Sequence, residues 1–88
     1  MDATFRKSFV RDLKKLKDKT ILDLVRRKIE QVDAAADPHA IGDMTKLGGT
    51  DNCFRIRIGE YRIGVVIEGS AVEFVRCLPR RDLYRFFP

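Results

Sequence analysis

Phe54-Arg55-Ile56-Arg57-Ile58-Gly59-Glu60-Tyr61-Arg62-Ile63 is the stretch on which the fold turns. Phe54, Ile56 and Ile58 alternate with Arg55 and Arg57. After the turn, Tyr61, Ile63, Val65 and Ile67 alternate with Arg62, Gly64 and Val66. A period of two is that of a strand with one apolar face. Gly59-Glu60 suits a two-residue II′ hairpin, which needs glycine at its first central position. If Ile58 and Tyr61 pair across that turn, Arg57 stands opposite Arg62 and Arg55 shares their face. Opposed residues are about 5 Å apart and diagonal ones about 7–8 Å, so three guanidinium groups converge on one patch of sheet.

Like charges set opposite each other destabilise a sheet. An anion would offset that cost, and phosphate fits because guanidinium pairs with it bidentately and stays charged. The same arginines also read as charged guards on an exposed strand face, set against aggregation. The pattern leaves both readings open.

Working outward, Gly69-Ser70 makes a second tight turn. Val72 to Leu78 forms a third strand whose nearly continuous apolar character predicts an interior position, and Pro79 stops it. Arg80 to Phe87 forms a short C-terminal helix or tail. Upstream, Ala3 to Arg6 reads as a short strand. Ser8 is placed to cap a helix carrying Phe9, Leu13 and Leu16 on one face. Thr20-x-x-Asp23 resembles a capping box opening a second helix, with Ile21, Leu24, Val25, Ile29 and Val32 inward. So short a connection predicts an antiparallel helix hairpin. Asp37-Pro38 marks the limit of that helix. His39 to Asn52, with Gly42, Gly48 and Gly49, reads as a long loop with a short strand or turn around Met44 to Leu47. The expected architecture is α+β: one domain, residues 1–88, with a two-helix hairpin on one face of a mainly antiparallel four-stranded sheet. The other face is expected to stay open.

Composition narrows the function classes. At 88 residues the chain is too short for a Rossmann or TIM-type domain. Apolar residues make up 44% and charged residues 35%, a globular balance. No run approaches the ~20 apolar residues of a membrane span. The first seven residues lack the apolar centre of a signal peptide, so a cytoplasmic location is expected. Eighteen Lys+Arg against 13 Asp+Glu leave a net charge of +5, which points to nucleic acid or an acidic protein as partner. Cys53, Cys77 and His39 cannot close a four-ligand zinc site, so no metal is expected, and the short chain leaves no cofactor expected either. His39 reads as a solvated loop residue, and no Ser-His-Asp or Cys-His arrangement exists. An enzyme built on this chain must work by orientation and charge stabilisation. Among the aromatics, Tyr61 belongs on the core side and Phe87 caps the core. For Tyr84 the residues leave two readings open, a stacking face for an unpaired base or packing against the core.

The chain resembles the RelE/ParE superfamily of toxins from type II toxin–antitoxin modules, on its RelE-like branch. Phe5-Arg6-Lys7-Ser8-Phe9 with Asp12-Leu13-Lys14-Lys15-Leu16 is similar to the family's opening strand and helix. Lys46-Leu47 sits where members carry a "KL(KG)" step. Residues 54–63 resemble the "YRIRxGxYRV" hairpin, and Arg80-Arg81-Asp82-Leu83-Tyr84-Arg85 the closing "HRKDxYR" segment. The resemblance implies a ribosome-dependent mRNA endonuclease in which a 2′-hydroxyl attacks the adjacent phosphate. Arg62 would stabilise the phosphorane, Arg80 would support the leaving group or phosphate, and Tyr84 would orient the base. Lys46, Arg55, Arg57, Arg81 and Arg85 would hold RNA. The implied partners are a cognate antitoxin, the ribosome and mRNA, and operator DNA through the antitoxin complex. Members with the "HRKDxYR" ending carry a histidine, a candidate general acid, where this chain has Pro79. Two alternatives follow: a ParE-like inhibitor of DNA gyrase without nuclease activity, or a weakened toxin kept as an antitoxin-binding or repressor component.

Overall fold

A computed structural model describes residues 1–88. The strands are β1 (Asp2–Phe5), β2 (Met44–Lys46), β3 (Cys53–Ile58), β4 (Tyr61–Glu68) and β5 (Ala71–Pro79). The helices are α1 (Lys7–Lys15), α2 (Lys19–Ala34) and the single turn α3 (Leu83–Phe86). The sheet is five-stranded, in the order β1-β5-β4-β3-β2. β1 runs parallel to β5 and every other pairing is antiparallel. The sequence predicts four strands. The fifth, β2, is three residues long, too short to show a period, and is defined by its pairing of Met44 with Ile56 and Thr45 with Arg55.

The turn chemistry sets the register. Gly59 has φ +56°, open to glycine at little cost, while Glu60 keeps a negative φ, as a II′ turn requires. Ile58 then pairs with Tyr61, Arg57 with Arg62 and Ile56 with Ile63. β5 is interior, as its apolar run predicts, although β4 is the middle strand.

One face of the sheet holds the main core. Phe9 from α1, Leu16 just past its end, and Ile21, Val25 and Val32 from α2 pack on Ile56, Ile58, Ile63, Val65, Val72 and Phe74. Each such buried side chain contributes about 1.5–3 kcal/mol. Both helix caps differ from the sequence reading. Asp18, not Thr20, caps α2, its carboxylate accepting from the Thr20 and Ile21 amides at 2.9 and 3.2 Å. Asp23 instead pairs with Arg26 and Arg27 on the solvent side. Ser8 lies inside α1, and its hydroxyl donates to the Val75 carbonyl at 2.6 Å.

That Ser8 contact belongs to a substitution of helix for strand. β1 stops at Phe5, opposite Phe74, so the edge of β5 beyond it has no neighbouring strand. α1 covers it with side chains one helical turn apart. Ser8 takes the Val75 carbonyl, and Asp12 accepts the Cys77 amide at 2.9 Å. Asp12, 8% exposed, also receives Arg76 through Nε and Nη2 at 2.8 and 3.0 Å. An acid on the apolar stripe of α1 thus satisfies three donors at once. β5 carries a bulge at Val75, between the pairs Gly64–Arg76 and Val65–Phe74.

The second face is not left open along its whole length, as the sequence reading has it. Leu83 and Phe87, from the C-terminal segment, bury against Leu47, Cys53 and Val75. Gly64 makes this possible, since a Cβ there would stand 2.6 Å from the Phe87 ring.

Two stability outcomes follow. Asp12→Ala leaves Arg76 and the Cys77 amide unpaired and should cost about 2–4 kcal/mol in urea unfolding. Removing the exposed Arg6–Glu73 pair should cost less than about 1 kcal/mol. Burial also pushes the Cys77 thiol up to about 12, with Asp12 adding to the effect. The native protein at pH 8 should therefore leave a thiol reagent unreacted at Cys77 until urea unfolds the chain.

Candidate functional site

The uncovered end of the second sheet face carries the arginines. Arg55 and Arg57 project from β3, Arg62 from β4 opposite Arg57, and Thr45 from β2 beside Arg55. With Ile41, Asp43 and Met44 they line a cleft of about 360 Å³. The hairpin arithmetic thus places the three guanidinium groups as the alternation predicts.

Arg62 differs from its neighbours in being 6% exposed. Its Nη1 donates to the carbonyls of Gly59 and Tyr61 at 2.8 and 2.9 Å, its Nε is buried without a partner, and Nη2 makes no hydrogen bond. Arg62 meets no carboxylate, nor do Arg55 and Arg80 beside it, whereas Arg6, Arg26, Arg27, Arg57 and Arg76 each do. Burial lowers the Arg62 pKa, and Arg55, Arg80 and Arg57 lower it further, with Glu60 opposing weakly. A buried cation among three others, held only by carbonyls, is a local excess of positive charge that protein groups leave uncompensated. Arg57 is exposed, and its one acidic contact, to Asp43, is long at 3.4 Å.

The other sequence-derived candidates divide. Arg80 follows β5, its amide donating to the Glu60 carbonyl at 2.8 Å, and it is close enough to act on Arg62. Tyr84, on α3, is 57% exposed, with the Arg55 guanidinium 6.0 Å from its ring centre. Arg81 lines a separate cleft of about 270 Å³ with Glu60, Pro79 and Arg80. Arg85 stands over Phe86 at 5.8 Å, on a ring that Arg76 also faces at 5.3 Å. Lys46 pairs with Phe54, and strand alternation puts it on the face opposite Arg55. Of the candidates, Arg55, Arg57 and Arg62 line the cleft, while Arg80 and Tyr84 border it, Arg80 through Arg62 and Tyr84 through Arg55. Lys46, Arg81 and Arg85 lie outside the cleft. Sequence reading missed Asp43, the one acid in the cleft, because the loop that holds it has no period. Its φ of +61° shows only in the backbone.

Residues 3–84 match the family described as the ParE toxin of the type II toxin–antitoxin system parDE. The chain belongs to that family. Toxin RelE3 of Methanocaldococcus jannaschii is 32% identical to it over 93 residues, across the full length of both chains. The crystal structure of the RelB–RelE antitoxin–toxin complex from Methanococcus jannaschii superimposes with a TM-score of 0.81 at 34% identity. That match covers 97% of this toxin and 99% of the other chain. The RelE–RelB complex from Pyrococcus horikoshii shares the fold at 20% identity, with a TM-score of 0.71 over 90% of this toxin and 93% of that chain. The protein is thus a RelE/ParE-superfamily toxin of a toxin–antitoxin system. No helix is long and apolar enough to cross a membrane.

The toxin's buried, unpaired arginine has a stability consequence. Replacing Arg62 by Met keeps the approximate length of the side chain, gives up two bonds to the Gly59 and Tyr61 carbonyls, and removes a buried donor without a partner, which costs about 1–3 kcal/mol, together with a desolvated charge repelled by three arginines. Arg62→Met should therefore raise the midpoint of urea unfolding, with a gain of about 1 kcal/mol. A purely structural arginine would give a loss.

Proposed function

We propose that this toxin is a ribosome-dependent mRNA endonuclease that blocks translation. The observation that carries the reading is Arg62, buried, without a carboxylate, and ringed by Arg55, Arg57 and Arg80. Such a site suits a reaction in which negative charge grows on a phosphate. When the 2′-hydroxyl of one nucleotide attacks the adjacent phosphorus, the phosphorane gains charge that the bound substrate lacks. A preorganised, desolvated guanidinium favours that state over the ground state. Arg62 takes this role, with Nη2 left for a phosphate oxygen. Arg55 and Arg57 hold the flanking backbone, Arg80 supports the scissile phosphate or leaving oxygen, and Tyr84 stacks on or orients the adjacent base. Pro79 transfers no proton, so catalysis on this reading rests on charge and orientation. Arg81, Arg85 and Lys46, being exposed and outside the cleft, serve as contacts to ribosomal RNA or the mRNA backbone.

The partner on this reading is a cognate antitoxin, as in the RelB–RelE complexes that the fold matches. An acidic segment laid over the arginine face would neutralise it, and operator DNA would be reached through that complex. A second reading has one observation behind it: the matching family bears the name of ParE. A gyrase poison without nuclease activity would show gyrase–DNA adducts and no new mRNA ends.

The deciding experiment maps mRNA 5′ ends after induced expression. New ends within translated codons are expected from the wild type. Arg62→Ala should reduce them by at least about 100-fold, the usual effect of deleting one charge-stabilising donor, with an unchanged circular dichroism spectrum. Equal cleavage by the two proteins would contradict the role given to Arg62.

A further inference from the structure

Asp43 stands out for its backbone and for its place. It is the one non-glycine residue with positive φ, at +61°. Non-glycine residues hold that conformation at a cost and collect at functional sites. Its carbonyl accepts the Arg57 amide at 2.9 Å, which ties it to β3. Its carboxylate is the one acid lining the cleft of Arg55, Arg57 and Arg62. The two oxygens differ. Oδ1 meets Arg57 Nη2 at 3.4 Å, whereas Oδ2 has Lys28 Nζ at 4.0 Å and accepts no hydrogen bond. A half-exposed acid with one oxygen that accepts no hydrogen bond, on the wall of a cleft of arginines, supplies what the arginines cannot. Guanidinium is never deprotonated at physiological pH, so none of them takes a proton. His39, the single imidazole, is exposed on another turn and lines none of the clefts around the arginines.

We infer that Asp43 is the proton acceptor of the cleavage reaction, a catalytic residue acting on the attacking 2′-hydroxyl. This inference rests on the nuclease reading above. In the step, the 2′-oxygen forms a bond to phosphorus as its proton passes to Asp43 Oδ2, and the bond from phosphorus to the 5′-oxygen breaks. The leaving oxygen takes a proton from water, and Asp43 returns its own to the hydroxide that remains. The products are a 2′,3′-cyclic phosphate and a 5′-hydroxyl, with no atom gained or lost and no oxidant or metal required. The charged groups facing Asp43 are Arg27 and Lys28 from α2, Arg55 and Arg57 from β3, Arg62 from β4, and Glu60 in the β3–β4 turn. Arg57 and Lys28 also hold the carboxylate in place.

The test is single-turnover cleavage of ribosome-bound mRNA across a pH series, by wild type, Asp43→Asn, Asp43→Gly and Arg62→Ala. Asparagine and glycine both tolerate the left-handed backbone, so each keeps the loop while removing the base. The expected result for both Asp43 variants is a 10²–10⁴-fold lower rate, typical of deleting a general base. Half-saturation should be unchanged or tighter, because a negative charge has left the anion site, and the acid limb of the pH–rate profile should vanish. Cleavage by both variants within threefold of wild type, with Arg62→Ala inactive, would overturn the role of Asp43 and leave the nuclease reading standing. A lower rate with weaker half-saturation and an intact acid limb would also overturn it, by making Asp43 a mere support of Arg57. A wild type that leaves ribosome-bound mRNA uncut removes the nuclease reading and this inference together.

Discussion

Arg62 is buried, charged, and held by backbone carbonyls alone. Carbonyl dipoles orient a guanidinium without neutralising it, and three further arginines raise the local potential. A fold selected for stability alone would place a carboxylate here or an apolar side chain of equal length. The toxin does so elsewhere. Asp12 meets Arg76 in a two-pronged pair across α1 and β5, and Asp23 holds Arg26 and Arg27 on α2. Against that background the missing counter-ion at Arg62 is a local feature, and the whole functional reading descends from it.

The rest of the fold keeps that feature in position. The Gly59 turn sets the register that opposes Arg57 to Arg62. The main core fixes the far face of β3 and β4. Ser8 and Asp12 close the edge of β5 where β1 ends, so the strand leading to Arg80 is anchored along its length. Phe87, seated over Gly64, and Leu83, packed with Leu47, Cys53 and Val75, fold the C-terminal turn back onto the sheet, which sets Tyr84 next to Arg55. The arginines of the site are thus held by strands and a packed turn, with Asp43 on the loop just before β2.

Much of this was legible in the residues, and the reason is periodicity. Alternation in β3 and β4 and a glycine at the right turn position are enough to derive the opposition of Arg57 and Arg62, because a two-residue hairpin allows one register. The apolar faces of α1 and α2 follow in the same way. What escaped depends on contacts distant in sequence. β2 exists only through its pairing with β3, and a three-residue strand has no period to read. The same register moves Lys46 to the far side of the sheet and puts Thr45 in its place. Ser8 and Thr20 look like caps by local rule, yet Ser8 is drawn to a strand edge and Asp18 outcompetes Thr20 for the free amides of α2. Asp12 was visible as an acid between Phe9 and Leu16, and its partners were not. The burial of Arg62 was invisible too, since alternation says which way a side chain points and not what covers it.

The most direct test of the central claim watches the arginine side chains by ¹H–¹⁵N NMR as an RNA dinucleotide, 2′-deoxy at the attacking position and therefore uncleavable, is added. The Arg55, Arg57 and Arg62 guanidinium signals should shift together along one saturable curve, with those of Arg26 and Arg76, already satisfied by carboxylates, unmoved. An Arg62 signal that stays put while exposed arginines drift without saturation would show that this buried charge awaits no phosphate.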